Sequence, residues 1–125
     1  MNAHSMAKTA YSSPGQPIRT LRGTEYDLFA RITHRLRTAI ALDKSGFPTL
    51  ARALHENRRL WTALAADVAD HDNALPPSLR ARIFYLSQFT QLHTSRVLAG
   101  EANADVLVDI NTAVMRGLRN EGEAP

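Results

Sequence analysis

Four stretches of the sequence repeat apolar residues at intervals of three or four, and short breaks containing Gly or Pro separate them. That spacing places the apolar residues on one side of an α-helix, whereas a β-strand requires strict alternation. The stretches begin near Thr24, Pro48, Pro77 and Asn103. Because the breaks are short, consecutive helices are expected to pack as antiparallel neighbours. The sequence therefore predicts an all-α fold, a small bundle of about four helices.

The two ends of the chain lack this periodicity. Residues 1–23 are rich in Ser, Pro and Gly and predict an extended or disordered N-terminal arm. Residues 24–119 form the predicted helical domain, whose first helix begins with Thr24 as its N-cap and ends at Gly46 as a left-handed cap. Residues 120–125 form a polar tail.

The size and composition of the chain restrict its class. A chain of 125 residues suits one domain. The absence of cysteine excludes disulfides, thiolate zinc sites and a cysteine nucleophile. No apolar run approaches the roughly 18 residues of a membrane span, and the N-terminus has no apolar core of a secretory signal. We therefore expect a cytoplasmic protein that does not insert into membranes.

Residue patterns typical of catalysis, metals and cofactors are missing. His55-Glu56 is followed by Arg59 at the position where a zinc-protease helix has its second His. The acidic stretch 67–72 lacks the spacing and the glycine of a calcium loop. No Ser or Thr is followed by a suitably placed base, and no glycine-rich phosphate loop exists. The sequence therefore predicts no catalytic, metal-binding or cofactor-binding residues and no enzymatic activity.

The second apolar stripe contains one aromatic and two polar residues of interest. Trp61 lies centrally on it and is predicted to be buried. Asn57 and Arg58 also fall within the apolar arc, where an unpaired polar group is costly. We therefore expect both to be hydrogen-bonded and partly buried, with Asp67 or Asp109 as the partner of Arg58.

Basic residues concentrate in the first half of the chain. Residues 1–59 hold ten Lys and Arg against four Asp and Glu, a net charge of +6, whereas residues 60–125 hold five against eight, a net charge of −3. Arg predominates, and its guanidinium binds carboxylates and phosphates through paired hydrogen bonds. Such a surface fits nucleic-acid or acidic protein partners, or is a solvated helix face with internal ion pairs. The candidate electrostatic contacts are Arg31, Arg35, Arg37, Arg58 and Arg59.

Apolar residues outside the stripes or at their margins form a second set of candidate contacts. Some lie on the far side of the third and fourth helices, and others widen the third stripe to about half of the helix circumference. Exposed apolar patches mark partner surfaces, unless the arm or a neighbouring helix covers them. The candidate partner-binding residues are Phe84, Tyr85, Phe89, Leu92, Val108 and Met115.

Three segments of the chain carry a family resemblance. They are AKTAYSSP at residues 7–14, HENRRLWTALAADVADHDNALPPSLRARIFYLSQFT at residues 55–90, and VLAGEANADVLVDINTAVMRGL at residues 97–118. Together they resemble the FlaF family, the flagellar biosynthesis regulators of alphaproteobacteria, over roughly residues 7–119.

This resemblance implies a non-enzymatic, cytoplasmic factor in flagellum assembly. It implies binding to flagellin, a role in flagellin synthesis after transcription and in flagellin secretion, and action alongside FlbT, a regulator of flagellin translation. The third helix is the candidate groove for an apolar helix of flagellin. Two alternatives stay open: an RNA-binding regulator that contacts flagellin message through the basic first helix, and a purely structural partner of FlbT.

Overall fold

A computed structural model describes the backbone of residues 17–42 and 44–123, and the side chains of residues 26–42 and 44–119. Its α-helices are α1 (Pro17–Ile40), α2 (Phe47–Ala69), α3 (Pro77–Leu98) and α4 (Asp105–Glu123). A 3₁₀ turn, Lys44–Gly46, precedes α2, and the described residues contain no strand. The prediction of an all-α bundle of four helices is confirmed.

The first helix begins at Pro17, so its predicted start at Thr24 is wrong. Proline is favoured at the first helical position, because the N–H it lacks has no partner there and its φ is already helical. Gly23 is tolerated inside the helix at a cost of about 1 kcal/mol relative to alanine. Residues 1–16 of the predicted arm lie outside the described residues. At the other end, α4 continues to Glu123, into the predicted polar tail.

Gly46 does not end α1 as a left-handed cap. Its φ is −87°, and it directly precedes α2. A Cβ atom at this position would lie 2.5 Å from Cβ of Leu42, so a close approach of the chain, and not a positive φ, requires glycine here. Gly100 is the described glycine with a positive φ, 78°, and it follows α3 as the sequence predicts.

The helices do not pack simply in sequence order. Helix α2 packs against both α1 and α3, whereas α4 packs mainly against α1 and makes only a small contact with α3. The expectation that consecutive helices are neighbours therefore holds for α1 to α3 and fails for the last pair. Helix α3 makes its main contact with α2. As a result α3 lies at the edge of the bundle.

Two clusters of buried apolar side chains form the core. The first surrounds Trp61, which is fully buried as predicted and meets Phe29 edge to face with ring centroids 5.6 Å apart. The second lies where α1 and α3 end and α2 and α4 begin. Its buried residues are Leu36, Ala39, Ala53, Leu54, Val97, Ala104 and Leu107. The core therefore joins all four helices.

A buried polar network links α1, α2 and α4. Nδ2 of Asn111 donates to Oδ1 of Asn57 at 2.8 Å and to Oγ1 of Thr33 at 3.1 Å. Nε1 of Trp61 donates to Oδ1 of Asn111 at 2.9 Å. All four side chains are buried, so Asn57 is hydrogen-bonded as predicted and more deeply buried than expected. Because amide hydrogen bonds require specific geometry, the network fixes how the three helices align.

Arg58 joins α2 to α3. Its Nε donates to Oε1 of Gln91 at 2.9 Å, and its Nη2 donates to the carbonyl oxygen of Gln91 and to Oγ of Ser95, both at 2.8 Å. The prediction of a hydrogen-bonded, partly buried Arg58 is confirmed. The predicted acidic partners, Asp67 and Asp109, are wrong, because this side of α2 faces α3, and α3 carries no acidic residue.

Replacement of Arg58 by methionine is expected to lower the free energy of unfolding by about 1–3 kcal/mol, since hydrogen bonds to a charged group contribute about that much. The matched control is Arg59→Met, because Arg59 is exposed and makes no hydrogen bond with the described residues. That change is expected to stay within about 0.5 kcal/mol. Urea denaturation followed by far-UV circular dichroism measures both. Equal stability of the two variants would contradict the role assigned to Arg58.

Candidate functional site

Helix α3 buries small polar residues against α2. Ser87 Oγ donates to the carbonyl oxygen of Trp61 at 3.3 Å, and Thr94 Oγ1 donates to that of Thr90 at 2.7 Å. Hydroxyl groups that bond to backbone carbonyls in this way can be buried at little cost. The buried residues of α3 are Ile83, Ser87, Thr90, Thr94 and Val97.

The opposite side of α3 exposes four large apolar side chains, which we call the α3 apolar face: Phe84, Tyr85, Phe89 and Leu92. Tyr85 and Leu92 are each 67% exposed, Phe84 is 43% exposed and Phe89 is 37% exposed. All four are candidate partner-binding residues from the sequence, and the structure leaves them outside the core. Their part in binding a partner stays a prediction.

One ring of this face is held in place by the fold. The rings of Phe89 and His93 stack with centroids 5.5 Å apart and an interplanar angle of 14°. His93 in turn places Nε2 at 2.8 Å from the carbonyl oxygen of Asn103, in the loop between α3 and α4. Phe89 is therefore already oriented, which lowers the entropy that a partner must overcome on binding.

Val108 and Met115 do not lie on an exposed surface, so the expectation that they belong to an exposed apolar patch is wrong. Both are partly buried. Val108 packs against the core cluster that contains Leu107, and Met115 packs against the cluster around Trp61. The helical wheel places them opposite the stripe of α4, yet both side chains pack against the core.

Two of the basic candidates, Arg35 and Arg58, make contacts within the fold, and the part of all five in binding a partner stays a prediction. Arg35 Nη1 donates to Oε2 of Glu56 at 2.6 Å, an exposed ion pair between α1 and α2 that contributes about 0–1 kcal/mol. Arg58 holds α3. Arg31, Arg37 and Arg59 are exposed and have no hydrogen bond with the described residues.

A second apolar surface, absent from the candidates, lies at the turn between α1 and α2. Leu42 and Phe47 are each 48% exposed and line a surface pocket of about 370 Å³. The apolar stripe of α2 includes Phe47 at its first turn, where helical periodicity alone indicates burial. Among the described residues that line this pocket, Lys44 is the one with a charged side chain.

Within the described residues, one group of side chains has ligand atoms close enough for a metal ion: Asp70, His71 and Asp72, within 4.8 Å of one another. They are consecutive residues of the turn after α2, and His71 and Asp72 are exposed. Such exposed acidic groups are common without a metal, so they do not support a metal site.

No helix in the described part of the chain combines the length and hydropathy of a membrane span. No curated protein and no solved structure matches the chain significantly. One family model, described as flagellar protein FlaF, matches residues 7–118, which include the α3 apolar face and the buried polar network. The chain therefore belongs to the FlaF family of flagellar proteins.

Proposed function

We propose that this protein is a non-enzymatic, cytoplasmic flagellar factor that binds flagellin through the α3 apolar face. In this role it acts as a chaperone that supports the synthesis of flagellin after transcription and its secretion. Membership of the FlaF family supports the flagellar role. The observation that carries the binding surface is the reversed polarity of α3, which buries hydroxyl residues and exposes large apolar ones.

The reversed polarity is unfavourable for the isolated protein. Burying an aromatic or leucine side chain stabilises a fold by about 1.5–3 kcal/mol. The side chains of the α3 apolar face, and Leu98 at the end of the helix, nevertheless stay 37–67% exposed. Exposed apolar patches mark partner surfaces in soluble proteins. A partner that covers the α3 apolar face buries these side chains, and the hydrophobic free energy of that burial stabilises the complex.

Flagellin suits this face because its unassembled chain presents apolar helical ends. An amphipathic helix can lay its apolar side against an exposed helical surface through residues spaced three and four apart. From Phe84 to Leu92 the face extends about 12 Å along α3, roughly two turns of a helix. Covering the ends of flagellin in this way would prevent their premature association.

The test is a titration of monomeric flagellin with variants Tyr85→Asp and Leu92→Asp. Both side chains are mostly exposed, so the substitutions are expected to leave the thermal unfolding midpoint unchanged. Each is expected to weaken flagellin binding at least about tenfold, because a buried charge replaces a central apolar contact. Ala66→Asp, which adds the same charge at an exposed position of α2, is the matched control. Unchanged binding by both face variants would contradict the proposal.

The alternatives are separated by titrations with leader RNA of the flagellin message and with FlbT. Binding of RNA through α1 would be weakened by Arg31→Glu and Arg37→Glu and would fall steeply with salt as counterions are released. From Arg31 to Arg37, α1 carries no Phe, Tyr or Trp side chain on which a base could stack, and this favours flagellin over the RNA alternative. Tight RNA binding or FlbT binding by a protein that does not bind flagellin would overturn the proposal.

A further inference from the structure

We infer that Arg82 and Arg96 bracket the α3 apolar face and set the register of a partner helix whose apolar stripe has an acidic residue at each end. This inference rests on the proposed function, because it concerns the same face, and it adds the chemistry of the segment that binds there. Neither arginine is among the candidate residues from the sequence.

The Arg, Lys, Asp and Glu positions of α3 are all occupied by arginine, so its charge is positive. The helix contains three arginines and no Asp or Glu. Arg80 is used within the fold, since its Nε donates to the carbonyl oxygen of Val68 at 3.0 Å and its Nη2 donates to that of Asp70 at 2.8 Å, at the end of α2. Arg82 and Arg96 are exposed, and the described residues offer neither side chain a hydrogen bond or ion pair. Both are therefore available to a partner.

The two arginines lie in line with the apolar face. Their positions and those of the apolar residues between them alternate at intervals of three and four: Arg82, Tyr85, Phe89, Leu92, Arg96. This is the spacing of the contact seam of a coiled coil, in which side chains of two helices interlock at a small crossing angle. From Arg82 to Arg96 the row is about 21 Å long. It is thus a short, exposed seam with an apolar centre and a positive charge at each end.

A second copy of this chain fits such a seam poorly. In a parallel pair the Arg82 side chains of the two copies would face each other, and in an antiparallel pair Arg82 of one copy would face Arg96 of the other. Either arrangement brings like charges together at both ends of an apolar contact, which disfavours association. Carboxylates at those ends would instead form paired hydrogen bonds with the guanidinium groups. The expected occupant is therefore a different chain with acidic residues about two heptads apart.

The experiment uses the full chain and two synthetic, fluorescently labelled helical peptides. The peptides share one apolar seam of two heptads and differ only in carrying Glu or Lys at both ends. Fluorescence anisotropy is expected to show at least about tenfold tighter binding of the Glu-ended peptide. The double variant R82E/R96E is expected to reverse that preference, whereas R116E/R119E, on exposed positions of α4, is expected to preserve it.

The outcomes distinguish this inference from the proposed function. If R82E/R96E folds normally and binds flagellin and both peptides as the wild type does, while Tyr85→Asp loses flagellin, the inference is wrong and the proposed function stands. If the Glu-ended peptide binds and flagellin does not, the proposed function is wrong and the inference stands. Equal affinity for the two peptides, or a stable homodimer that Tyr85→Asp dissociates, would also overturn the inference.

Discussion

Substitution of Trp61 by alanine is expected to lower the free energy of unfolding by about 3–5 kcal/mol, the range found for large aromatic truncations in cores. The Trp61 side chain is completely buried and contacts Phe29 edge to face. Its removal leaves a cavity between helices and deprives Oδ1 of Asn111 of the donor at 2.9 Å. Because small domains are stable by about 5–15 kcal/mol, this loss is a large fraction of the total stability.

Urea denaturation followed by far-UV circular dichroism measures this effect, since the variant has no tryptophan left to report fluorescence. In the wild type, emission from Trp61 is expected to be blue-shifted and protected from iodide quenching. The matched control is Tyr85→Ala, an aromatic truncation on the exposed side of α3, with an expected change of about 0.5 kcal/mol or less. Similar losses for the two variants would contradict the assignment of Trp61 to the core.

Substitution of Asn111 by leucine is expected to cost about 2–5 kcal/mol, although leucine has a similar volume. The change leaves Nε1 of Trp61 and Oδ1 of Asn57 buried without their partners in the network. Each buried polar group that loses its hydrogen bond costs about 1–3 kcal/mol. A variant as stable as the wild type in urea denaturation would show that the network does not contribute to the fold.

A double-mutant cycle with Asn57→Leu tests whether the network acts as a unit. Once Asn111 is replaced by leucine, Oδ1 of Asn57 no longer accepts a hydrogen bond from it. Replacing Asn57 as well then removes a buried polar group that has already lost this partner. The two substitutions are therefore expected to be less costly together than their sum, with a coupling of about 0.5–3 kcal/mol. Strict additivity would mean that the two amides stabilise the bundle independently.

Much of the fold could be predicted because it depends on local patterns. Apolar residues at helical spacing predict all four helices, and the predicted starts near Pro48, Pro77 and Asn103 agree with the structure to within two residues. Trp61 was expected in the core from its central position on a stripe. The start of α1 was placed too late because Pro17 and Gly23 were interpreted as breakers, although proline begins a helix well and one glycine inside it is tolerated.

The sequence predicted only part of the candidate site. The third stripe is wide enough that Tyr85, Phe89 and Leu92 at its margin could face either the core or the solvent, and the structure exposes all three. Arg58 was correctly expected to need a partner, yet the partner proved to be an amide and a hydroxyl on α3. Val108 and Met115 were misplaced because a helical wheel shows one helix without its neighbours.

Sequence alone determined that there are four helices, because helical periodicity depends on residue order and on the geometry of a single helix, and it also determined the family. Only the tertiary structure decided which side of α3 is exposed. Helix α2 binds the side of α3 with small hydroxyl residues and is held there by Arg58, while α4 packs on α1 and leaves the aromatic side uncovered. Which side of a helix is buried depends on the helices that pack against it. The periodicity of one helix shows its apolar side but not which neighbouring helix covers each side.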